Sequence, residues 1–153
     1  MADPVKIDST SLSIIKLLRD GRKPYSVIAD ELAITENTVR SRVNKLLSDG
    51  VLEISGLVNP DALPGHQMIL ATLKMSTVEL GAKAKEFSHL RGVISVSVVT
   101  GRYDLIAYVL LHPADGFSLL DFFSQELSKI DLIQDIETFV VYEGIDLSVP
   151  YVL

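Results

Sequence analysis

At 153 residues and 48% hydrophobic, the chain can bury one compact core or two small ones, which excludes a disordered polymer, and its lack of cysteine excludes disulfides, thiolate metal sites and a cysteine nucleophile. The net charge of −6 is uneven: residues 1–63 carry eight Lys/Arg against nine Asp/Glu, and residues 64–153 six against eleven, so the first part is near neutral and the second acidic. No stretch approaches the roughly 18 consecutive apolar residues of a membrane span, and the opening MADPVKIDSTS is too polar and acidic for a secretory leader, so a cytoplasmic protein with no membrane partner is expected.

In chain order, Asp8 is placed to cap a first helix whose apolar residues Leu12, Ile15 and Leu18, flanked by Ile14 and Leu17, recur at helical spacing until Asp20-Gly21. Ser26 opens a short second helix carrying Val27, Ile28, Ala29, Leu32 and Ala33. Thr35 caps a third, with Val39, Val43, Leu46 and Leu47 on one stripe and Gly50 as its stop. The few residues between the second and third helices leave room only for a tight turn, the signature of a helix-turn-helix. Val51–Val58 (VLEISGLV) is β-like and suits a wing or hinge strand. Two prolines and a glycine in Asn59–Gly65 then mark a linker, which sets domains at 1–63 and 64–153.

Beyond the linker the pattern predicts strand Met68–Met75, helix Val78–Leu90, strand Val93–Thr100, strand Asp104–Leu111, helix Ala114–Ile130 and strand Ile133–Tyr142. This βαββαβ order is ferredoxin-like, with a hairpin at Gly101-Arg102-Tyr103, and the whole chain is α+β. The middle strands have apolar residues at successive positions, as expected when both faces of a sheet are covered. Two helices cover one face. A partner subunit is the simplest cover for the other, because a bare apolar sheet aggregates.

The third helix carries the chemistry. Opposite its apolar stripe lie Asn37, Arg40, Ser41, Asn44, Lys45 and Ser48, with Thr38 and Arg42 on the flank. Asn and Arg can bond adenine and guanine edges in pairs of hydrogen bonds, while Ser, Thr and Lys suit phosphates. An ordinary solvated helix shows the same polar arc. The tight turn, the preceding helix and the basic Arg22-Lys23 pair are what point instead to docking on double-stranded DNA, with Thr35 at the start of the reading helix.

Gly101-Arg102-Tyr103-Asp104 is the second marked spot, since a glycine lets the backbone pass close to a ligand and a carboxylate accepts bonds from an ammonium group; most Gly-x-x-Asp hairpins are nevertheless simple turns. Catalytic patterns fare worse. His66, His89 and His112 are too widely spaced for a metal-ligand motif and read as solvated or capping residues, and there is no nucleophile elbow, P-loop or dinucleotide fingerprint. The reading is therefore a non-enzyme without metal or cofactor.

These residues resemble the Lrp/AsnC, or feast/famine, family of transcription regulators over essentially the whole chain. Ile7-Asp8 followed by Ile14-Ile15-x-Leu17-Leu18-x-x-Gly21-Arg22 is similar to the family's first helix. Ile28-Ala29-x-x-Leu32-x-Ile34-Thr35-x-x-Thr38-Val39-x-x-Arg42-Val43-x-x-Leu46-x-x-x-Gly50-Val51-Leu52 is similar to its helix-turn-helix, and Val99-Thr100-Gly101-x-Tyr103-Asp104 to the hairpin of its regulatory (RAM, ACT-like) domain. The resemblance implies a homodimer built by pairing regulatory sheets, often assembled into tetramers or octamers around which DNA wraps. It also implies an amino acid or related metabolite bound between subunits near Thr100, Gly101, Tyr103 and Asp104, with Thr138 on the last strand. Two positions depart from the family pattern: Ser11, where Asp is frequent, and Ala33, where Gly is frequent and where a slightly different turn is expected. Two rivals remain beside the DNA-binding regulator: an enzyme of the sirohaem-decarboxylase kind, which shares the architecture, and a metabolite-binding module that no longer touches DNA.

Overall fold

The computed structural model describes residues 5–153; residues 1–4, which belong to the opening segment and to the first predicted domain, lie outside the described residues. Two compact units are present, one ending at Ser55 and the other beginning at Gly56. In the first, Asp8 caps α1 (Ser9–Leu17) by accepting from the Ser11 amide at 2.7 Å. Helix α2 (Tyr25–Leu32) starts behind Pro24, and α3 (Glu36–Ser48) behind Thr35, whose hydroxyl accepts from the Thr38 amide at 3.2 Å. Ile14, Ile28, Ala29, Val39 and Val43 are the buried centre, with Leu17, Leu18, Tyr25, Leu32, Ile34 and Leu52 packed around it.

Several details differ from the sequence reading, beginning with α2, which starts at Tyr25 behind Pro24 and is not opened by Ser26. The buried face of α1 is Ser11 and Ile14, while Leu12 is 47% exposed, because α1 turns its capped end toward α3. The strand expected over Val51–Val58 shrinks to β1 (Leu57–Val58). Val51 and Leu52 instead donate their amides to the Leu46 carbonyl at 2.9 and 3.1 Å, closing the end of α3, and Leu52 packs on the helical core. Ala33 keeps the left-handed conformation a glycine would take, at φ 53°, so the turn is retained and the alanine bears the strain. Ala33→Gly is therefore expected to stabilise the first unit by about 1 kcal/mol in urea unfolding, the relief of left-handed strain outweighing the added freedom of the unfolded chain. An unchanged or lower midpoint would show that the turn is not strained.

The second unit is built on β2 (Gln67–Met75), α4 (Leu80–Ser88), β3 (Val93–Val98), β4 (Leu105–Leu111) and β5 (Ile133–Val140). These form one antiparallel sheet in the order β3-β4-β2-β5, the ferredoxin-like arrangement. One face carries Ile69, Ala71, Leu73, Leu105, Ala107 and Val109 against Phe87, Phe117 and Phe122, whose rings meet edge to face.

The helix predicted over Ala114–Ile130 is broken at its start. Pro113–Asp115 form a 3-10 turn, Gly116 is left-handed at φ 71°, and Phe117 bridges back to His112. Ser118 and Asp121 then make a reciprocal capping box that opens α5 (Leu119–Asp121), continued by a π turn (Phe122–Glu126) and a 3-10 turn (Leu127–Lys129).

The division between units falls at Ser55/Gly56 and not at 63/64, because β1 pairs with β6 (Val149–Pro150) of the second unit. Val149 also covers Met68 and Leu110 on one end of the second sheet face. The rest of that face is open: register places Leu70, Ile106, Tyr108 and Phe139 side by side, with Tyr108 40% and Phe139 45% exposed. No helix among the described residues is long and apolar enough to cross a membrane.

Candidate nucleic-acid interface and effector site

The outward arc of α3 is two rows of side chains. Asn37, Ser41 and Lys45 form one, and Arg40 and Asn44 the other; all five are exposed, and Thr38 is half-buried between them and the core. Among the described residues, the side chains of Asn37, Ser41 and Asn44 make no hydrogen bond, so their donors and acceptors are open to a ligand.

The first row lines a cleft of about 560 Å³ whose other wall is the arm Val5–Asp8, a neighbour the sequence reading did not foresee. On the other side, Arg40 lies with its guanidinium carbon 5.6 Å from the centre of the Tyr25 ring. Three of the basic groups are matched by an acid of the same unit: Arg40 to Glu36 at 2.6 Å, Lys45 to Asp49 at 2.8 Å and Lys23 to Glu31 at 2.8 Å. Exposed pairs of this kind contribute about 0–1 kcal/mol. Arg22 is exposed, its amide donating to Asp20 at 3.1 Å. The Thr35 and Thr38 hydroxyls bond each other at 2.9 Å, and the Thr35 hydroxyl also accepts from the Thr38 amide in the cap.

Arg42, set on the flank by the sequence, ties α3 to α1. One of its nitrogens donates to both Asp8 oxygens, at 2.8 and 2.5 Å, and to the Ser11 hydroxyl at 3.0 Å. The departure at Ser11 thus has a structural role. The Arg42 bonds, followed by those from Ser11, hold the Asp8 carboxyl down at about 2. A lowered acid adds stability above its unfolded value near 3.8 and loses it as pH falls through 2. Between pH 4 and 2, Asp8→Asn is therefore expected to flatten the fall in melting temperature of the helical unit, followed by circular dichroism; a fall as steep as in the wild type would show that Asp8 is not the titrating tie.

At the hairpin, Gly101 is at φ 132° with open space where a Cβ would stand, and Thr100 is exposed beside it. Tyr103 donates its hydroxyl to Glu137, which raises the phenol's pKa. Asp104 is already occupied: one oxygen accepts from Lys74 at 2.9 Å and the other from the Met75 amide at 2.8 Å, bonds that lower its pKa. Thr138 pairs in register with Ala71 of the helix-facing core, whereas Glu137 aligns with Thr72 on the open face. The structure therefore joins Tyr103 to Glu137 and leaves Thr138 on the opposite side. Strand alternation carried that signal, since Ile136 and Thr138 share a parity that Glu137 does not.

Two of the three histidines also meet. His66 and His112 stack at 4.0 Å between ring centres, and His89 ends α4 as its C-cap.

Residues 7–53 match the winged helix-turn-helix DNA-binding family. An uncharacterised HTH-type transcriptional regulator of Pyrococcus abyssi is 30% identical over 139 residues, covering 90% of this chain and 87% of its own. The regulator LrpA of Pyrococcus horikoshii is 29% identical over 90% of this chain and 97% of its own. The chain belongs to the Lrp/AsnC family.

Two solved structures share the fold. E. coli AsnC superposes with a TM-score of 0.69 at 21% identity over 93% of this chain and 96% of its own. A Neisseria meningitidis transcriptional regulator, solved as a complex with L-Met, gives 0.70 at 16% identity over 94% of each chain. As a member of the Lrp/AsnC family, the protein is a DNA-binding transcriptional regulator, and α3 lies within the segment that matches the winged helix-turn-helix.

Proposed function

We propose that the protein binds operator DNA as a homodimer, placing the α3 of each copy in major grooves about one helical turn apart. It acts by binding alone, without a cofactor. The observation that carries this is the exposed double row on α3; in the groove, Asn37, Arg40, Ser41 and Asn44 would face bases. Lys45, Thr35, Thr38 and the Arg22-Lys23 pair face the backbone. The open sheet patch around Tyr108 and Phe139 supports pairing of two copies, and the family supports tetramers or octamers above the dimer.

The effector is an amino acid or a close relative, taken up beside Thr100, Gly101 and Tyr103. The L-Met complex of the Neisseria relative supports that class. Because Asp104 is tied to Lys74 and Met75, its role is to hold the hairpin, and Glu137 is the carboxylate that stands beside Tyr103. Regulation then requires that the metabolite bind one assembly more tightly than another.

Selection of bound duplexes from a random pool, with and without the twenty amino acids, tests both halves. A defined sequence is expected, and its affinity should shift with at least one amino acid. Arg40→Ala should cost on the order of 1 to 3 kcal/mol on the selected duplex. Equal affinities for wild type and variant would remove Arg40 from the reading surface.

A further inference from the structure

We infer that Glu36 and Tyr25 position Arg40 so that the reading helix selects a G·C pair; this rests on α3 entering the major groove. A guanidinium on an exposed helix has several rotatable bonds, and fixing them on binding has an entropic cost. Here two contacts already restrict it. Glu36, one turn back, accepts from Nη2 at 2.6 Å, and the Tyr25 ring lies 5.6 Å from the guanidinium carbon. Tyr25 is itself packed against the helical core, so the ring is a fixed platform. Arginine has five N–H donors in one plane. Glu36 takes one of them, and the Arg40 side chain remains 56% exposed, leaving an edge to donate in parallel to guanine O6 and N7.

The acid has a second consequence. A carboxylate beside the arginine repels phosphate, so the pair favours a base edge over the DNA backbone, and the second carboxylate oxygen can accept from a cytosine amino group. A lone arginine has no such preference, since it binds phosphates as readily as guanine.

The test uses the full-length protein and duplexes enriched from a random pool. Comparing wild type with Arg40→Ala identifies the base position at which preference disappears, and a G·C pair is expected there. The ratio of affinities for G·C over A·T at that position is then measured. Wild type should discriminate by about 5- to 150-fold, the range of one paired base contact. Glu36→Ala should lose at least about threefold of that ratio, a part of the same contact, while Glu36→Gln, which keeps the accepting oxygen without the charge, should retain most of it.

Tyr25→Leu should fall in the same way and Tyr25→Phe should not; melting curves confirm that each variant is folded. Equal ratios for the Ala and Gln variants of Glu36 would overturn the inference, because the oxygen that accepts from Arg40 would then contribute nothing to the selection. So would a preference at the Arg40 position for anything but G·C. These results leave DNA reading by α3 intact. A wild-type protein that enriches no sequence overturns that reading itself.

Discussion

Placing aspartate at both Tyr108 and Phe139 is expected to leave the protein as single chains and to weaken operator binding by about 100-fold or more, since two linked half-sites bind that much more tightly than one. Both side chains are 40–45% exposed on the open sheet face, so the substitutions do not touch the core of the chain that carries them. Surface changes of this kind shift stability by about 0.5 kcal/mol or less. In an interface the outcome differs, because each carboxylate would be buried among Leu70, Ile106 and their counterparts without a partner, at a cost of several kcal/mol. Sedimentation at micromolar concentration, beside a circular dichroism spectrum matching the wild type, decides the matter. A double variant that keeps the wild-type assembly would move the dimer contact elsewhere.

The second large effect is in the core. Gly92→Ala is expected to destabilise the second unit by about 2 to 5 kcal/mol, the sum of left-handed strain and overpacking. A Cβ at Gly92 would stand 2.4 Å from the Leu110 carbonyl oxygen and 2.6 Å from the Phe117 ring, with the backbone at φ 79°. Neither neighbour has room to yield. The Leu110 amide donates to the Gly92 carbonyl at 2.7 Å, locking the two backbones together, and Phe117 is wedged against Phe122. Gly101→Ala is the control: it shares the positive φ but meets open space, so about 1 kcal/mol is expected. Urea midpoints that fall equally for both would mean that crowding at Gly92 contributes nothing.

The reading of the helical unit from sequence succeeded where local chemistry is unambiguous. Asp8 and Thr35 do what capping residues do, and Gly50 ends α3 at φ 67°. The strands of the second unit were equally plain, because β-branched runs between turn residues have few alternatives. The helix expected from Ala114 begins later, because Gly116 is left-handed and the Ser118-x-x-Asp121 box opens the helix beyond it.

What was not legible is what depends on distant residues. Arg42 meets Asp8 across 34 positions and Tyr103 meets Glu137 across another 34, and no periodicity announces either. The same holds for Tyr25 under Arg40, and for Lys74 donating to Asp104.

The two-residue ribbon joining β1 to β6 has a bearing on how the molecule is made. Leu57 and Val58 find their partners in Pro150 and Val149, across most of the intervening sequence. On the ribosome, where early segments fold first, the helical reader can be complete while its exit strand still has nothing to pair with. Closing so long a loop is entropically slow, which makes this clasp a late step in maturation. Until it shuts, Met68 and Leu110 stay wet, and a newly made chain is exposed to mispairing at that end of its sheet.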